Sequence, residues 1–504
     1  MKLPGDFLLT KIIATLGPAS SGKDKIMELI REGARVFRVN FSHGSFEGFS
    51  NLIDSVREAS AGTGIPVAIL GDLSGPKIRV GKVPDGGIYL ESGSTVEFTA
   101  EETEAFVDQD NNAIFPTTFR PLIDRVQPGQ RILLDDGNVG LVCTGKANGR
   151  VVCTVTQGGL VTSKKGVNLP ETDLDIPALT DWDIQCLEFA VKKKIDYLAL
   201  SFVRNAADIR MLKSKLEALG ARPFEPDQYR ENDISIMPDD VQFIPIVSKI
   251  EKPQAISDLD GIVAESDAIM IARGDLGVEM DLAEVAVLQK KIISVCHDHG
   301  VPAIVATQML QSMIDSPTPT RAEVSDVANA IYDGVDAVML SGETAVGKWP
   351  VETVRIMARI ARLTNDHIRE QKISHPVPRQ MRESKYRSAA LAHGVKSIVN
   401  DIDAKLIIIW TKFGGGALYL SQLDIPLPIV AFSNLPATLN RLSLLYGIQP
   451  GLMEQPMDPA DFIRAACDRV LDMLLAKKGD AVVFVYGEPI QSSGVTNSVY
   501  IHYL

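Results

Sequence analysis

Eight short apolar runs, at residues 12–16, 35–39, 67–71, 197–201, 243–248, 268–272, 302–306 and 337–340, constrain this chain more than any other feature. Most are apolar on both faces, as a strand covered on both sides must be. Helical patterns separate them, as at 23–31, 184–194, 206–218 and 284–299. Parallel strands need such crossovers, because a tight turn cannot join them. Eight β-then-α units are the requirement of a closed (β/α)8 TIM barrel. An open doubly wound sheet with a spare layer is the alternative, and eight similar runs fit closure better.

The rhythm breaks once, after Arg79. Residues 80–174 are rich in Gly, Thr and Val, with alternating runs at 87–90, 95–99, 131–134, 140–144 and 151–156. They read as a small all-β domain inserted into a βα loop, where it can act as a lid. The barrel therefore takes 1–79 and 175–365. A long helical pattern at 352–365 and a polar, breaker-containing linker at 370–382 follow the eighth strand. Residues 385–504 read as a third, α/β domain, with strands at 406–410, 429–431 and 481–485 and helices at 388–398, 436–445 and 460–474. The run at 220–240 reads as a surface excursion with no assigned role.

At 504 residues the chain exceeds one ordinary core. Fifty-one basic against 64 acidic side chains, a net charge of −13, argue against nonspecific nucleic-acid or membrane binding. Five cysteines without CxxC spacing read as reduced thiols. The first residues lack a signal peptide's apolar run, and no eighteen-residue apolar window exists. These features together predict a cytoplasmic enzyme.

The polar residues that follow the apolar runs suggest the chemistry. Lys249 and Glu251 stand two apart at a strand end, so extended geometry sends both to one side. Asp275 follows the next strand, after Arg273 and Gly274. Glu251 and Asp275 suit Mg²⁺ or Mn²⁺, which takes few carboxylates and keeps positions open for substrate oxygens. Arg38, Arg79 and Lys249 bring cations to the same rim, a mixture that holds a phosphoryl group beside a metal. The Gly274-Asp275 backbone and the Thr307 hydroxyl are candidates for binding a carboxylate or phosphate. Ser341 and Glu343 read as a helix cap or a proton relay. Asn40, Ser42 and Asp72 offer oxygens to a monovalent cation, and His43 beside them has no zinc-site spacing.

At these residues the chain resembles the pyruvate kinase family along nearly its whole length. The resemblance rests on Thr15-Leu16-Gly17-Pro18-Ala19-Ser20, Arg38-Val39-Asn40-Phe41-Ser42-His43-Gly44, Gly75-Pro76-Lys77-Ile78-Arg79 and Met270-Ile271-Ala272-Arg273-Gly274-Asp275-Leu276-Gly277. Ala306-Thr307-Gln308-Met309-Leu310, Met339-Leu340-Ser341-Gly342-Glu343-Thr344 and Ser163-Lys164-Lys165-Gly166-Val167-Asn168-Leu169-Pro170 extend it. It implies phosphoryl transfer from phosphoenolpyruvate to ADP, giving pyruvate and ATP, in a homotetramer. It further implies that Glu251 and Asp275 bind the divalent metal and that Lys249 stabilises the phosphoryl group in flight and the enolate. Arg38 would clamp the phosphoryl group, and Thr307 with the Gly274-Asp275 backbone would hold the substrate carboxylate. Arg79, Lys165 and His43 would lie towards the nucleotide. The final proton would arrive through water near Thr307, Ser341 and Glu343.

Two departures from the family pattern matter. Potassium-requiring members resemble one another in having glutamate after Gly-Pro, where this chain has Lys77. The lysine implies independence of K⁺, its ammonium replacing the ion; if K⁺ were needed, Asn40, Ser42, Asp72 and the Leu73 carbonyl would bind it. In the last domain, activated members wrap a sugar phosphate with a Thr-x-Ser-Gly-x-Ser/Thr loop. Here Thr411, Lys412, Phe413, Gly414, Gly415 and Gly416 stand instead. Fructose bisphosphate activation is therefore not expected, and the glycines leave room for another phosphorylated effector. The rival enzyme reading is a different metal-dependent barrel acting on phosphoenolpyruvate or a keto-acid enolate, which leaves the insertion carrying Lys165 unexplained. A non-enzymatic scaffold would not need Lys249, Glu251 and Asp275.

Overall fold

The computed structural model describes residues 7–42, 44–117, 119–172, 177–222, 240–383, 387–490 and 496–504. Eight parallel strands close into a barrel: Lys11–Thr15, Ala34–Asn40, Ala68–Asp72, Tyr197–Leu200, Ile246–Ile250, Ala268–Ala272, Ala303–Ala306 and Ala337–Leu340. They follow one another in chain order, and the eighth pairs with the first. Closure is thus observed, and the open sheet is excluded. Burial on both faces explains the apolar runs. In the sixth strand Ile269 and Ile271 pack under the helices while Met270 fills the barrel interior. The fifth strand begins later than the apolar run suggests and includes Lys249. Residues 243–245 are buried but precede the strand, although Pro245 O still accepts from Leu198 N of the fourth strand at 3.0 Å.

The stretch after Arg79 forms a seven-stranded sheet and a two-stranded one over a core of its own. The alternating runs find strands at Ile88–Leu90, Thr95–Thr99, Arg131–Leu134, Val139–Ala147 and Arg150–Gln157. Short strands at Phe106–Val107, Ala113–Pro116, Gly159–Val161 and Val167–Asn168 carry too few residues to show a period. One short helix, Arg120–Arg125, interrupts the expected all-β pattern. Near the C-terminus, Ile448–Leu452, Ile429–Ser433, Leu406–Trp410 and Ala481–Tyr486 form a parallel sheet with Ser498–Tyr503 antiparallel at one edge. The helix after the eighth barrel strand, Pro350–Glu370, is longer than its apolar pattern, and part of the expected linker is the helix Arg379–Glu383. Most of the 220–240 excursion lies outside the described residues.

The C-terminal sheet domain closes the floor of the barrel. Leu444 belongs to the barrel's interior cluster with Tyr197, Val247 and Met270. Around it Tyr197 Oη donates to Arg441 O at 2.7 Å, and Ser443 Oγ to Pro66 O at 3.0 Å. Buried Lys11 donates through Nζ to Leu8 O at 2.9 Å and Ile448 O at 2.8 Å. Replacing Leu444 by alanine should cost about 2–5 kcal/mol, the usual range for emptying a buried leucine site. An unchanged urea midpoint would show that the floor seals without it.

Candidate active site

The carboxyl ends of the strands gather most of the residues singled out from sequence. Arg38, on the second strand, donates through Nε to Asp72 Oδ2 at 2.6 Å and through a terminal nitrogen to Thr15 Oγ1 at 3.3 Å. Asp72, the last residue of the third strand, also faces Lys249, whose Nζ lies 3.3 Å from its Oδ1. The same ammonium donates to Ser201 Oγ at 2.8 Å and sits 2.9 Å from Glu251 Oε1. Lys249, Asp72, Ser201 and Glu251 are all buried.

Burial and charge oppose one another here. Burial alone would discharge Asp72, but Lys249 and Arg38 hold its carboxyl below the usual range. Burial likewise works against the Lys249 ammonium, yet Asp72 and Glu251 raise it above an ordinary lysine. Glu251 is the frustrated member. Burial pushes its carboxyl up, Lys249 pulls it down, and Asp275 adds to the push. Its Oε2 accepts from the Phe202 amide at 2.8 Å, while Oε1 is buried and meets Lys249 without hydrogen-bond geometry.

Asp275 lies in the first turn of the helix Arg273–Glu279, and its carboxylate has no hydrogen-bond partner among the described residues. A buried carboxylate oxygen short of donors and a second, uncommitted carboxylate fit a hard divalent cation, which takes oxygen ligands and relieves their repulsion. Among the described residues no group of three His, Cys, Asp or Glu is placed to hold a metal. An ion at Glu251 and Asp275 would draw its further ligands from outside these four side-chain types.

The loop after the seventh strand is strained. Thr307 and Gln308 have φ of 71° and 55°, the left-handed region that a β-branched residue rarely enters. Arg273 secures it, donating to Thr307 O at 2.9 Å while pairing with Asp326 at 2.8 Å. Thr307 Oγ1 accepts from the Gly274 amide at 2.7 Å and donates to Ala306 O at 2.6 Å. The amide and hydroxyl expected to hold a carboxylate thus satisfy each other, and a substrate must compete for them. Glu343 is fully buried, with Oε1 accepting from Leu310 N and Oε2 from Ser341 N. It ties two rim loops together. Ser341 Oγ beside it is buried and has no hydrogen-bond partner among the described residues.

The oxygens considered for a monovalent cation are largely committed. Asn40 Oδ1 accepts from Ser42 N at 3.0 Å, Leu73 O accepts from Ser201 Oγ at 2.7 Å, and Asp72 already faces two cations. Lys77 is exposed and lines a cleft of about 350 Å³ between barrel and insertion. Its loop is held by Asp183, which accepts from Ser74 N at 2.9 Å and Gly75 N at 3.3 Å while capping its own helix. Arg79, Lys165, Arg204, Lys252 and Asp275 share the cleft. Arg79 donates to Lys164 O at 3.0 Å, and Lys165 pairs with Asp135 at 2.6 Å. His43 lies outside the described residues.

Away from this site, the loop from Thr411 to Gly416 turns partly inward. Phe413 is buried against Phe243 at 5.7 Å between ring centres. Thr411 Oγ1 accepts from Gly414 N, and the Lys412 carbonyl accepts from Ser433 and Thr438. A side chain at Gly416 would meet Thr496.

Ser201, Arg273 and Lys252 were not singled out from sequence for these contacts. Ser201 ends an apolar run, as Asp72 and Thr307 do, so the rule that located those residues also reaches it.

The family model described as pyruvate kinase, barrel domain, matches residues 8–222 and 232–354, and that for the pyruvate kinase alpha/beta domain matches 389–502. The chain is 40% identical over 495 residues to a pyruvate kinase of Corynebacterium efficiens, covering 98% of each. It is 38% identical over 492 residues to that of Mycobacterium tuberculosis, again 98% of each. With the pyruvate kinase of Thermococcus litoralis the identity is 36% over 505 residues, 99% of each chain. With matching models over barrel and C-terminal domain and such coverage of its relatives, the chain belongs to the pyruvate kinase family.

Proposed function

We propose that the rim holding Arg38, Asp72, Lys249, Glu251 and Asp275 is where this chain transfers the phosphoryl group of phosphoenolpyruvate to ADP, yielding pyruvate and ATP. The observation that carries this reading is Lys249, buried and charged between Asp72 and Glu251, with Arg38 and Asp275 at the same rim. A fixed ammonium in a dry site stabilises charge that develops on transferred phosphoryl oxygens and on the enolate left behind. Arg38 clamps the phosphoryl group. Thr307 and the Gly274-Asp275 backbone orient the substrate carboxylate. Arg79, Lys165 and His43 serve the nucleotide side, and the six basic residues of the cleft, Lys77, Arg79, Lys164, Lys165, Arg204 and Lys252, suit a polyphosphate. Water beside Thr307 and Ser341 delivers the final proton, and Glu343 positions that loop.

Glu251 and Asp275 hold Mg²⁺ or Mn²⁺, which when bound neutralises phosphoryl and carboxylate oxygens. Residues 80–174 form the lid on a barrel of 1–79 and 175–365, and 385–504 form the assembly and regulatory domain of a cytoplasmic homotetramer. Among the described residues no helix is long and apolar enough to cross a membrane. Buried Phe413 supports the view that the 411–416 loop does not wrap fructose bisphosphate, leaving the Thr411, Lys412, Gly414, Gly415 and Gly416 backbone to another phosphorylated effector.

The test is pyruvate formation from phosphoenolpyruvate and ADP with Mg²⁺ in potassium-free buffer, followed by K⁺ titration. Full turnover before K⁺ is expected, with Lys77 supplying the charge. Lys77→Glu should lose about tenfold or more in potassium-free buffer and recover with K⁺. Wild-type turnover that appears only with K⁺ would reject Lys77 as the substitute and leave Asn40, Ser42, Asp72 and Leu73 as the cation site.

A further inference from the structure

The inserted domain meets the barrel at one buried carboxylate that the reaction chemistry does not use. Glu279 ends the helix Arg273–Glu279 and is only 2% exposed. Its Oε1 accepts from Asn168 Nδ2 at 2.7 Å and from Lys252 Nζ at 2.5 Å. Asn168 belongs to the last strand of the insertion, Val167–Asn168, and Lys252 directly follows Glu251. One oxygen thus joins the lid's exit strand to the catalytic rim. The other, Oε2, is buried without a hydrogen-bond partner among the described residues.

The neighbourhood makes this more than a surface pair. Asp275 and Glu279 stand one turn apart on the same helix, so they share a face. The lid turn at Gly137 approaches that helix too, since a Cβ built there would lie 3.7 Å from Val278. Lys252 also sits over the Phe202 ring at 5.6 Å, and the Phe202 amide holds Glu251 Oε2. The lid's seat and both candidate metal ligands are therefore built on the same two short segments. A lid that comes off this seat opens the cleft to water beside Asp275.

We propose that Asn168, Glu279 and Lys252 are positioning residues that set acceptor specificity, keeping the phosphoryl group for ADP and away from water. The inference rests on the phosphotransfer reading above. With the seat intact, the bond from phosphorus to the enol oxygen breaks as a bond to the terminal phosphate oxygen of ADP forms. With the seat lost, a water oxygen takes that place. The products are then orthophosphate and the enolate of pyruvate, which takes a solvent proton at carbon to become pyruvate. Pyruvate still accumulates, but ATP does not match it.

The experiment measures ATP, pyruvate and orthophosphate together, from phosphoenolpyruvate, ADP and Mg²⁺, for wild type, Asn168→Ala, Asn168→Asp and Glu279→Gln. A fold defect would lower both products in step, whereas loss of the seat changes their ratio. Wild type should give one ATP per pyruvate. Orthophosphate should rise from a trace in wild type to roughly a tenth of the pyruvate or more in Asn168→Ala, and further in Asn168→Asp, which sets two carboxylates against each other. Asn168→Ala leaves the Lys252–Glu279 pair in place, so it reports on the seat even if Glu279→Gln folds poorly. An ATP-to-pyruvate ratio of one in every active variant would overturn the inference while leaving the kinase reading intact. Wild type making neither product would overturn both, and that failure shows in a different arm.

Discussion

Lys249→Met should lower kcat by about 10²–10³-fold and change the KM for phosphoenolpyruvate by less than about tenfold. The reason lies in what the ammonium faces. In the resting site it is already balanced by Asp72 and Glu251, and it gains most when charge appears on phosphoryl and enolate oxygens. An interaction stronger in the transition state than in the bound substrate shows itself in turnover. Because Asp72 and Glu251 overcome the burial penalty and raise this lysine above its ordinary range, its deprotonation should produce no fall in rate below about pH 10. Stopped-flow pyruvate formation across pH checks both points. A large KM effect with kcat preserved would reduce Lys249 to a binding group.

Glu251→Gln should weaken metal binding and turnover together, by roughly 10³-fold at low Mg²⁺, since a divalent ion contributes several kcal/mol of charge stabilisation. The carboxylate is fully buried, one oxygen lacks a hydrogen-bond donor among the described residues, and Asp275 pushes against it. A cation is the group that resolves all three conditions. Free Mn²⁺ counted by electron paramagnetic resonance in the presence of protein reads the binding without any turnover. Glu251→Asp is the control, because it keeps the charge and should recover part of the affinity. Equal Mn²⁺ binding by wild type and Glu251→Gln would remove Glu251 from the metal site.

Much of this arrangement was legible before any coordinates. The barrel was readable because buried parallel strands leave eight uninterrupted apolar runs, and Lys249 with Glu251 because a two-residue spacing puts side chains on one side of a strand. The contacts that set their charge were not readable. Ser201 reaches Lys249 across 48 residues, Asp72 across 177, and no periodicity encodes which rim residues meet. The shortest strands of the insertion and the helix Arg120–Arg125 escaped because elements of two to six residues hold less than a recognisable repeat. Glu279 escaped for another reason. It closes a helix, where an acidic residue ordinarily faces water and opposes the dipole, and only the arrival of Asn168 from 111 residues away makes it a joint.

The contact between Lys11 and Ile448 has a consequence for how the chain is made. These partners are 437 residues apart, and one of them opens the first barrel strand. On a ribosome the amino-terminal strand emerges long before its final acceptor exists, and at about 5–20 residues per second the wait is tens of seconds. During that time Lys11 has Leu8 O, three residues away, as a local acceptor and must leave its remaining protons to water, because burying them unpaired would cost free energy. The barrel's first strand is thus translated well before the domain that seals the barrel floor.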